Sequence, residues 1–248
     1  MAQQVALNID CLEYMRTLPD KAFDLAIVDP PYGGGGHSLP DKSRGRFGGR
    51  FNRCREDYAD SSIAVGKITR TGGTWAAKYQ SQGGVFSRDI SYWDIAPDKS
   101  YFDELFRVSK DQIIWGGNYF GLPPARCFIV WRKLQIPLEG FSMSPVEYAW
   151  TSFAANASMF EAYSNGGSGR EARFHPTQKP VELYEWLLRK YAKGGWRILD
   201  THLGSGSSRI AAYNLNFDFV GCEIDKVYFD KQEERFARHT AQLSLFAE

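Results

Sequence analysis

Short apolar runs alternate with stretches whose apolar residues recur every three or four positions through most of the chain. The clearest run, Leu25 to Val28, has no polar break, as expected of a parallel strand buried on both faces. Val5–Ile9, Gln112–Trp115, Cys127–Trp131, Val146–Thr151, Arg197–Leu199 and Phe217–Cys222 read as further strands. Helical spacing covers Leu12–Leu18, Tyr101–Val108, Pro180–Tyr191, Ser208–Asn214 and Lys226–Ala241. Asp10 is placed to cap the first helix, Pro180 suits a first turn, and Gly194-Gly195 stops that helix. Gly116-Gly117-Asn118 reads as a turn, and Asn156 to Glu171, with Gly166, Gly167 and Gly169, as a loop. Strands alternating with helices predict an α/β fold: an open, mostly parallel sheet with helices on both faces.

In such a sheet, ligands bind at the carboxyl ends of the strands, so the strand ends matter most. The run Leu25–Val28 ends in Asp29-Pro30-Pro31-Tyr32, followed by Gly33 to Gly36. Neither proline can donate to a ladder, so the strand stops there. A carboxylate and a stiff carbonyl are both acceptors, suited to an NH2 group with two hydrogens to give. A tyrosine ring beside them can stack on a flat base. On its own the tetrapeptide also reads as a Pro-rich turn capped by an acid.

A second strand end narrows the reading. Arg197–Leu199 runs into Asp200-Thr201-His202-Leu203-Gly204-Ser205-Gly206-Ser207 and then a helix. Glycines let backbone approach a ligand, and a helix start offers N–H groups. The next strand ends at Glu223, where an acid can hold the two ribose hydroxyls of an adenosine cofactor. The dinucleotide fingerprint has a third glycine where this chain has Arg209, which counts against NAD.

These motifs together resemble the amino-group DNA methyltransferases that use S-adenosylmethionine (DNA methylase N-4/N-6). Asp29, Pro30, Pro31 and Tyr32 match that family's catalytic tetrapeptide, Asp200 to Ser207 its methionine-binding loop, and Glu223 its ribose acid. His175-Pro176-Thr177-Gln178-Lys179-Pro180 matches the segment before the cofactor loop, and Asn8-Ile9-Asp10-Cys11 the adenine-binding corner. The catalytic motif precedes the cofactor motif, which resembles the beta group, a circular permutation of the usual fold. The resemblance implies a Rossmann-like methyltransferase fold of seven strands, the last pair antiparallel, in a single domain over residues 1–248. It places Asp10 on the adenine amino group, Cys11 beside the ring, and Thr177, Gln178 and Lys179 with the Asp200, Thr201, His202, Gly204, Ser205, Gly206 and Ser207 loop at the methionine end. Plainer roles stay open: Asp10 as a helix cap only, Cys11 as a small core residue, His202 as a neutral histidine satisfied by backbone, and Lys179 as a residue near a helix start. Thr201 and His202 stand where the family usually has Pro and Phe, so a ring is lost unless His202 stacks in its place.

The implied activity is adenine-N6 methylation of a flipped-out base, since the Asp-first tetrapeptide usually accompanies adenine and a Ser-first one cytosine-N4. Cytosine-N4 methylation, methylation of RNA or a protein amide, and a catalytically silent nucleic-acid-binding module are the alternatives. If permuted, the chain's two ends should lie near each other.

Composition and charge add less. Net charge is +1, so overall charge does not declare a nucleic-acid binder. Its distribution says more: Lys42, Arg44, Arg46, Arg50, Arg53 and Arg55 crowd a Gly-rich stretch, tempered by Asp41, Glu56, Asp57 and Asp60, and Arg70, Trp75, Lys78 and Tyr79 follow; a solvated loop with no specific partner is the plainer reading. Arginines suit phosphates and interleaved aromatics suit bases, so residues about 33–95 are expected to be an insertion that contacts double-stranded DNA. A variable loop is expected at about 133–174. Cys11, Cys54, Cys127 and Cys222 show no zinc spacing, so the expectation is a reducing cytoplasm and no metal. No leader-like segment or apolar run of membrane length is seen. Gln242-Leu243-Ser244-Leu245-Phe246 resembles the pentapeptide by which bacterial proteins dock on the replicative sliding clamp, with Leu243, Leu245 and Phe246 as apolar anchors. Those three equally suit covering the protein's own sheet. The family often pairs, so a homodimer is a further expectation.

Overall fold

The run around Leu25 lies at the heart of an eight-stranded sheet. A computed structural model describes residues 2–32, 95–138, 144–164, 174–175 and 177–245, the last three without side chains. The strands are β1 (Gln4–Leu7), β2 (Phe23–Val28), β3 (Ser109–Trp115), β4 (Phe128–Lys133), β5 (Val146–Thr151), β6 (Ser158–Ala162), β7 (Arg197–Asp200) and β8 (Asp218–Cys222). The helices are α1 (Cys11–Arg16), α2 (Lys99–Val108), α3 (Val181–Tyr191), α4 (Ser207–Asn214) and α5 (Lys226–Leu245). The strand order is β1-β8-β7-β2-β3-β5-β4-β6. Among these strands only β5 runs against its neighbours, antiparallel to both β3 and β4.

The sheet departs from the expected seven strands with a final antiparallel pair. Its last two strands in the chain, β7 and β8, are parallel, and the reversed strand is the fifth. The additional strand is β6, inside the stretch read as a loop from Asn156. It adds to the edge of β4 in parallel, pairing Val130 with Met159 and Trp131 with Phe160. The glycines that suggested a loop come after it in the chain.

Alternation along β2 explains why its run is apolar throughout. Leu25 and Ile27 join Ile113, Trp115, Leu183, Leu187, Ile198 and Phe219 in a core beneath α3 and α4. Ala26 and Val28 join Met15, Phe102, Leu105, Ile114, Leu199 and Val220 under α1 and α2. A strand with helices on both faces has no polar side to present. Burying each large aliphatic side chain contributes roughly 1.5–3 kcal/mol.

The chain ends behave as a permuted order requires. The Ala2 amide donates to Asn216 Oδ1 at 3.1 Å, and His239 Nε2 lies 2.7 Å from Asn214 Oδ1. Ala2, just before β1, and His239, in the last helix, therefore both reach the turn between α4 and β8.

Two units make up the chain: residues Met1–Pro30 with Pro97–Glu248, and Pro31–Ala96. The insertion residues Arg44, Arg46, Arg50, Arg53, Arg55 and Lys78 lie outside the described residues, as do Cys54 and Phe246. So do the side chains of Leu243 and Leu245; Gln242 is exposed near the end of α5. No described helix is long and apolar enough to cross a membrane.

Candidate active site

Register places the acids of the motifs along one edge. Leu25 pairs with Ile198 and Ala26 with Leu199, so the ends of β2 and β7 lie side by side. Asp200 pairs with Gly221, and Leu7 with Cys222. Asp29, Asp200, Glu223 and the Asn8–Asp10 corner therefore share the carboxyl edge of neighbouring parallel strands.

The loop after β7 is built from small residues for a steric reason. Gly204 and Gly206 have φ of +51° and +74°, left-handed values that disfavour side chains. A Cβ on Gly204 would come within 3.2 Å of the His175 ring, and one on Gly206 within 3.1 Å of Gln232 Oε1. His175 in turn packs edge-on against Tyr228 of α5 at 4.4 Å. Arg235 Nη1, also from α5, donates to the Ser205 carbonyl at 2.7 Å and to Ser207 Oγ at 2.9 Å. Ser205 Oγ lies 3.1 Å from Ser207 Oγ. The loop is thus clamped from behind.

Two buried acids hold its ends. Asp200 Oδ2 accepts from Ser208 Oγ at 2.5 Å, and Oδ1 from the His202 amide at 3.0 Å. Glu223 accepts from the Gly204 amide on Oε2 and the Asp225 amide on Oε1, each at 2.8 Å. Burial pushes Asp200 up to about 6, with the Asp29 charge adding to the rise. Burial likewise pushes Glu223 up to about 7, with Asp225 and Asp200 adding. Ionised acids at such sites are short of compensating partners, so each has acceptor capacity for a ligand's hydroxyl or amine.

Thr201 and His202 form a polar chain. Tyr101 O–H lies 2.6 Å from Thr201 Oγ1, which lies 2.9 Å from His202 Nδ1. If Tyr101 donates to Thr201 and Thr201 to Nδ1, every hydrogen in the chain has an acceptor; the reverse direction strands the Tyr101 hydrogen. The histidine is then the Nε2–H tautomer. Burial lowers its pKa to about 4, so it is neutral near pH 7. The neutral state agrees with the plainer reading of His202, although its ring nitrogen is satisfied by a side chain.

At the corner after β1, Asp10 Oδ1 caps α1 by accepting from the Leu12 and Glu13 amides at 2.8 and 3.0 Å. Cys11 opens that helix, and burial pushes its thiol up to about 12, so it is no thiolate. Thr177 Oγ1 lies 3.2 Å from His175 Nδ1, and Gln178 Oε1 accepts from the Phe174 amide at 3.3 Å.

Lys179 carries the main surprise. Its side chain is 4% exposed, and its ammonium pairs with Asp29 Oδ2 and, at 3.2 Å, with Glu147 Oε2. It also lies 5.2 Å from the Trp115 ring centre. Burial alone would lower its pKa, but Asp29 and Glu147 outweigh that and raise it. Lys179 is therefore a fixed cation. Sequence reasoning gave Glu147, Trp115 and Tyr101 no role at the site. An acid inside the apolar strand Val146–Thr151 was the available signal for Glu147. Pro31 and Tyr32 follow Asp29 and Pro30 in the chain and belong to the second unit.

A glycine loop against a helix start, with two buried acids of raised pKa, fits an adenosine cofactor that offers ribose hydroxyls and an amino acid end. A family model described as DNA methylase matches residues 23–234. The chain belongs to the DNA methylase family. This methylase is 23% identical to the type II methyltransferase M.BglII of Bacillus subtilis over 252 aligned residues, 90% of this chain and 66% of that protein. It is 38% identical to the type II methyltransferase M.HpaI of Haemophilus parainfluenzae over 61 residues, 25% of this chain and 19% of that protein. The methylase thus spans less than two thirds of the length of either relative. Its fold is similar to that of PvuII DNA methyltransferase, described as cytosine-N4-specific, with a TM-score of 0.54, 13% identity and coverage of 95% and 87% of the two chains. It is also similar to a putative DNA modification methylase from Thermus thermophilus complexed with S-adenosyl-L-methionine, with a TM-score of 0.52, 18% identity and 96% coverage of both chains.

Proposed function

We propose that this methylase transfers a methyl group from S-adenosylmethionine to the exocyclic amino group of an adenine flipped out of duplex DNA. The observation that carries the reading is the register of β2 against β7, which brings Asp29 beside the loop of Asp200 to Ser207. Glu223 would hold the ribose, Asp10 the adenine amino group, with Cys11 beside the ring. The loop residues Asp200, Thr201, His202, Gly204, Ser205, Gly206 and Ser207, with Thr177, Gln178 and Lys179, would hold the methionine end. The bound cofactor would supply an electrophilic methyl on a positively charged sulfur.

The adenine nitrogen is a poor nucleophile because its lone pair is delocalised into the ring. The Asp29 carboxylate and the Pro30 carbonyl accept its hydrogens and turn the lone pair out of the ring plane. The same two oxygens stabilise the charge that appears on nitrogen. Alignment of the two reactants supplies the rest. Tyr32 stacks on the flipped base.

Arg44, Arg46, Arg50, Arg53, Arg55 and Lys78 contact the phosphates of the duplex, and the tail from Gln242 to Phe246 docks on a sliding clamp. A cytoplasmic site of action and a pairing of two copies belong to the same reading. Adenine is preferred to cytosine on the Asp-first tetrapeptide.

Sequencing DNA from cells that express the protein tests base, context and activity together. N6-methyladenine in a fixed context is expected; N4-methylcytosine would replace the base, and unmodified DNA would remove the reading. Asp29→Ala should abolish methyl incorporation and leave S-adenosylmethionine binding, measured by calorimetry, within about threefold.

A further inference from the structure

Behind Asp29 lies a row of charged side chains that runs past the end of the motifs. Asp29 pairs with Lys179, Lys179 with Glu147 Oε2 at 3.2 Å, and Glu147 Oε1 with Lys133 at 2.5 Å. The charges alternate in sign along the row. Trp115 and Trp131 lie beneath the two lysines, at 5.2 Å and 5.4 Å, and meet edge to face at 6.4 Å. Burial works to raise Glu147, but the two ammoniums outweigh it and hold its carboxyl at about 2. Glu147 is therefore ionised at any working pH.

Lys179 gives Asp29 a fixed orientation, but at an electrostatic cost to methyl transfer. In that step the base nitrogen's lone pair forms the new N–C bond. The S–C bond breaks with its electron pair left on sulfur. Positive charge passes to nitrogen, which then releases a proton to water. The new cation forms against Asp29, which already neighbours the Lys179 ammonium. Two cations sharing one carboxylate in a poorly solvated site repel each other strongly. A second anion on the far side of Lys179 offsets part of that repulsion.

We propose that Glu147 is a positioning residue for the transfer: it takes a share of the Lys179 ammonium, so that Lys179 orients Asp29 without opposing the charge that develops on the substrate nitrogen. Lys133 completes the row by balancing Glu147. The inference rests on the reading of Asp29 as the acceptor of the amino group. It makes the cost of losing Glu147 depend on Lys179.

The experiment is a double-mutant cycle on the full chain, read as the single-turnover rate of labelled methyl transfer to unmodified mixed-sequence duplex DNA. Glu147→Gln should slow transfer by about tenfold or more with S-adenosylmethionine affinity close to that of the parent, and should lower the thermal midpoint while keeping a cooperative transition, because two ammoniums lose their shared carboxylate. In a Lys179→Met background, which is itself slow, the added Glu147→Gln should cost less than about threefold. Equal penalties in both backgrounds, or no penalty in the parent, would overturn the proposal. If Glu147→Gln does not fold, Glu147→Asp carries the test: it keeps the charge and should retain a rate within about threefold, and a tenfold loss overturns the idea. A parent chain that methylates no nucleic acid would instead remove the reading of Asp29, an outcome distinct from either result for Glu147.

Discussion

Glu223 shows how one residue's surroundings set a measurable behaviour. Its folded pKa is raised from the ordinary 4.5 to about 7, first by burial and then by the charges of Asp225 and Asp200. Between those two values the folded state holds a proton that the unfolded chain has released. Stability from this group is therefore fully present below about pH 4.5 and is lost as pH rises through about 7, by roughly 3 kcal/mol at 1.4 kcal/mol per unit. Asp200, raised to about 6, acts in the same direction at slightly lower pH. If Glu223 holds the ribose as proposed, the sugar needs the ionised acid as acceptor, and cofactor binding would pull the proton off. S-adenosylmethionine affinity of the isolated protein should therefore rise with pH from about 6 to about 8, and Glu223→Gln should flatten that rise while weakening binding. Calorimetric titrations at several pH values check this; a flat profile in the parent would mean that the acid is already ionised or does not touch the ligand.

At the scale of elements, the loop after β7 depends on a helix far along the chain. Arg235 of α5 is buried with its guanidinium on the Ser205 carbonyl and Ser207 hydroxyl, and Gln232 packs over Gly206. Arg235→Met keeps the length of the side chain but strands those acceptors. It should lower stability by about 1–3 kcal/mol in urea unfolding and weaken S-adenosylmethionine binding by about tenfold. A loss of stability with unchanged binding would show that the loop keeps its form without the clamp. This dependence was not legible in the sequence, because it joins residues on separate elements. What was legible is what local chemistry dictates. Asp10 does cap α1, Val146–Thr151 is a strand with those bounds, and Pro180 stands one residue before the first turn of α3, extended at its cap position rather than within the turn. Phe23, Lys99 and Ser109 extend their elements beyond the apolar cores that announced them. Strand β6 was missed because an edge strand with Met159 largely exposed carries little alternation. Asp29, Asp200 and Glu223 stood out because each ends an apolar run, whereas Glu147 lies inside one and acquires its meaning only from Lys179.

At the scale of the whole molecule, the motif order and the sheet order make one statement. The first strand of the chain is the outermost on its side of the sheet and pairs in parallel with the last. Ala2 and His239 both reach the turn around Asn214 and Asn216, so the path from α5 to β1 is short in space although it is absent from the chain. A covalent link there should cost little, because the fold already brings its ends together. A variant in which residue 242 is joined to residue 2 by a Gly/Ser linker of about ten residues should therefore fold. New ends can be placed between Ala155 and Asn156, in the exposed connection from β5 to β6, where no strand pairing is cut. The motifs would then keep their places in space while their order in the chain changes. The permuted protein should melt within about 5 °C of the parent, bind S-adenosylmethionine within about threefold, and keep whatever methyl transfer the parent shows. Binding lost in a permutant that still melts cooperatively would mean that the cofactor edge needs the free ends, and that chain order is a functional requirement here rather than one of several routes to the same sheet.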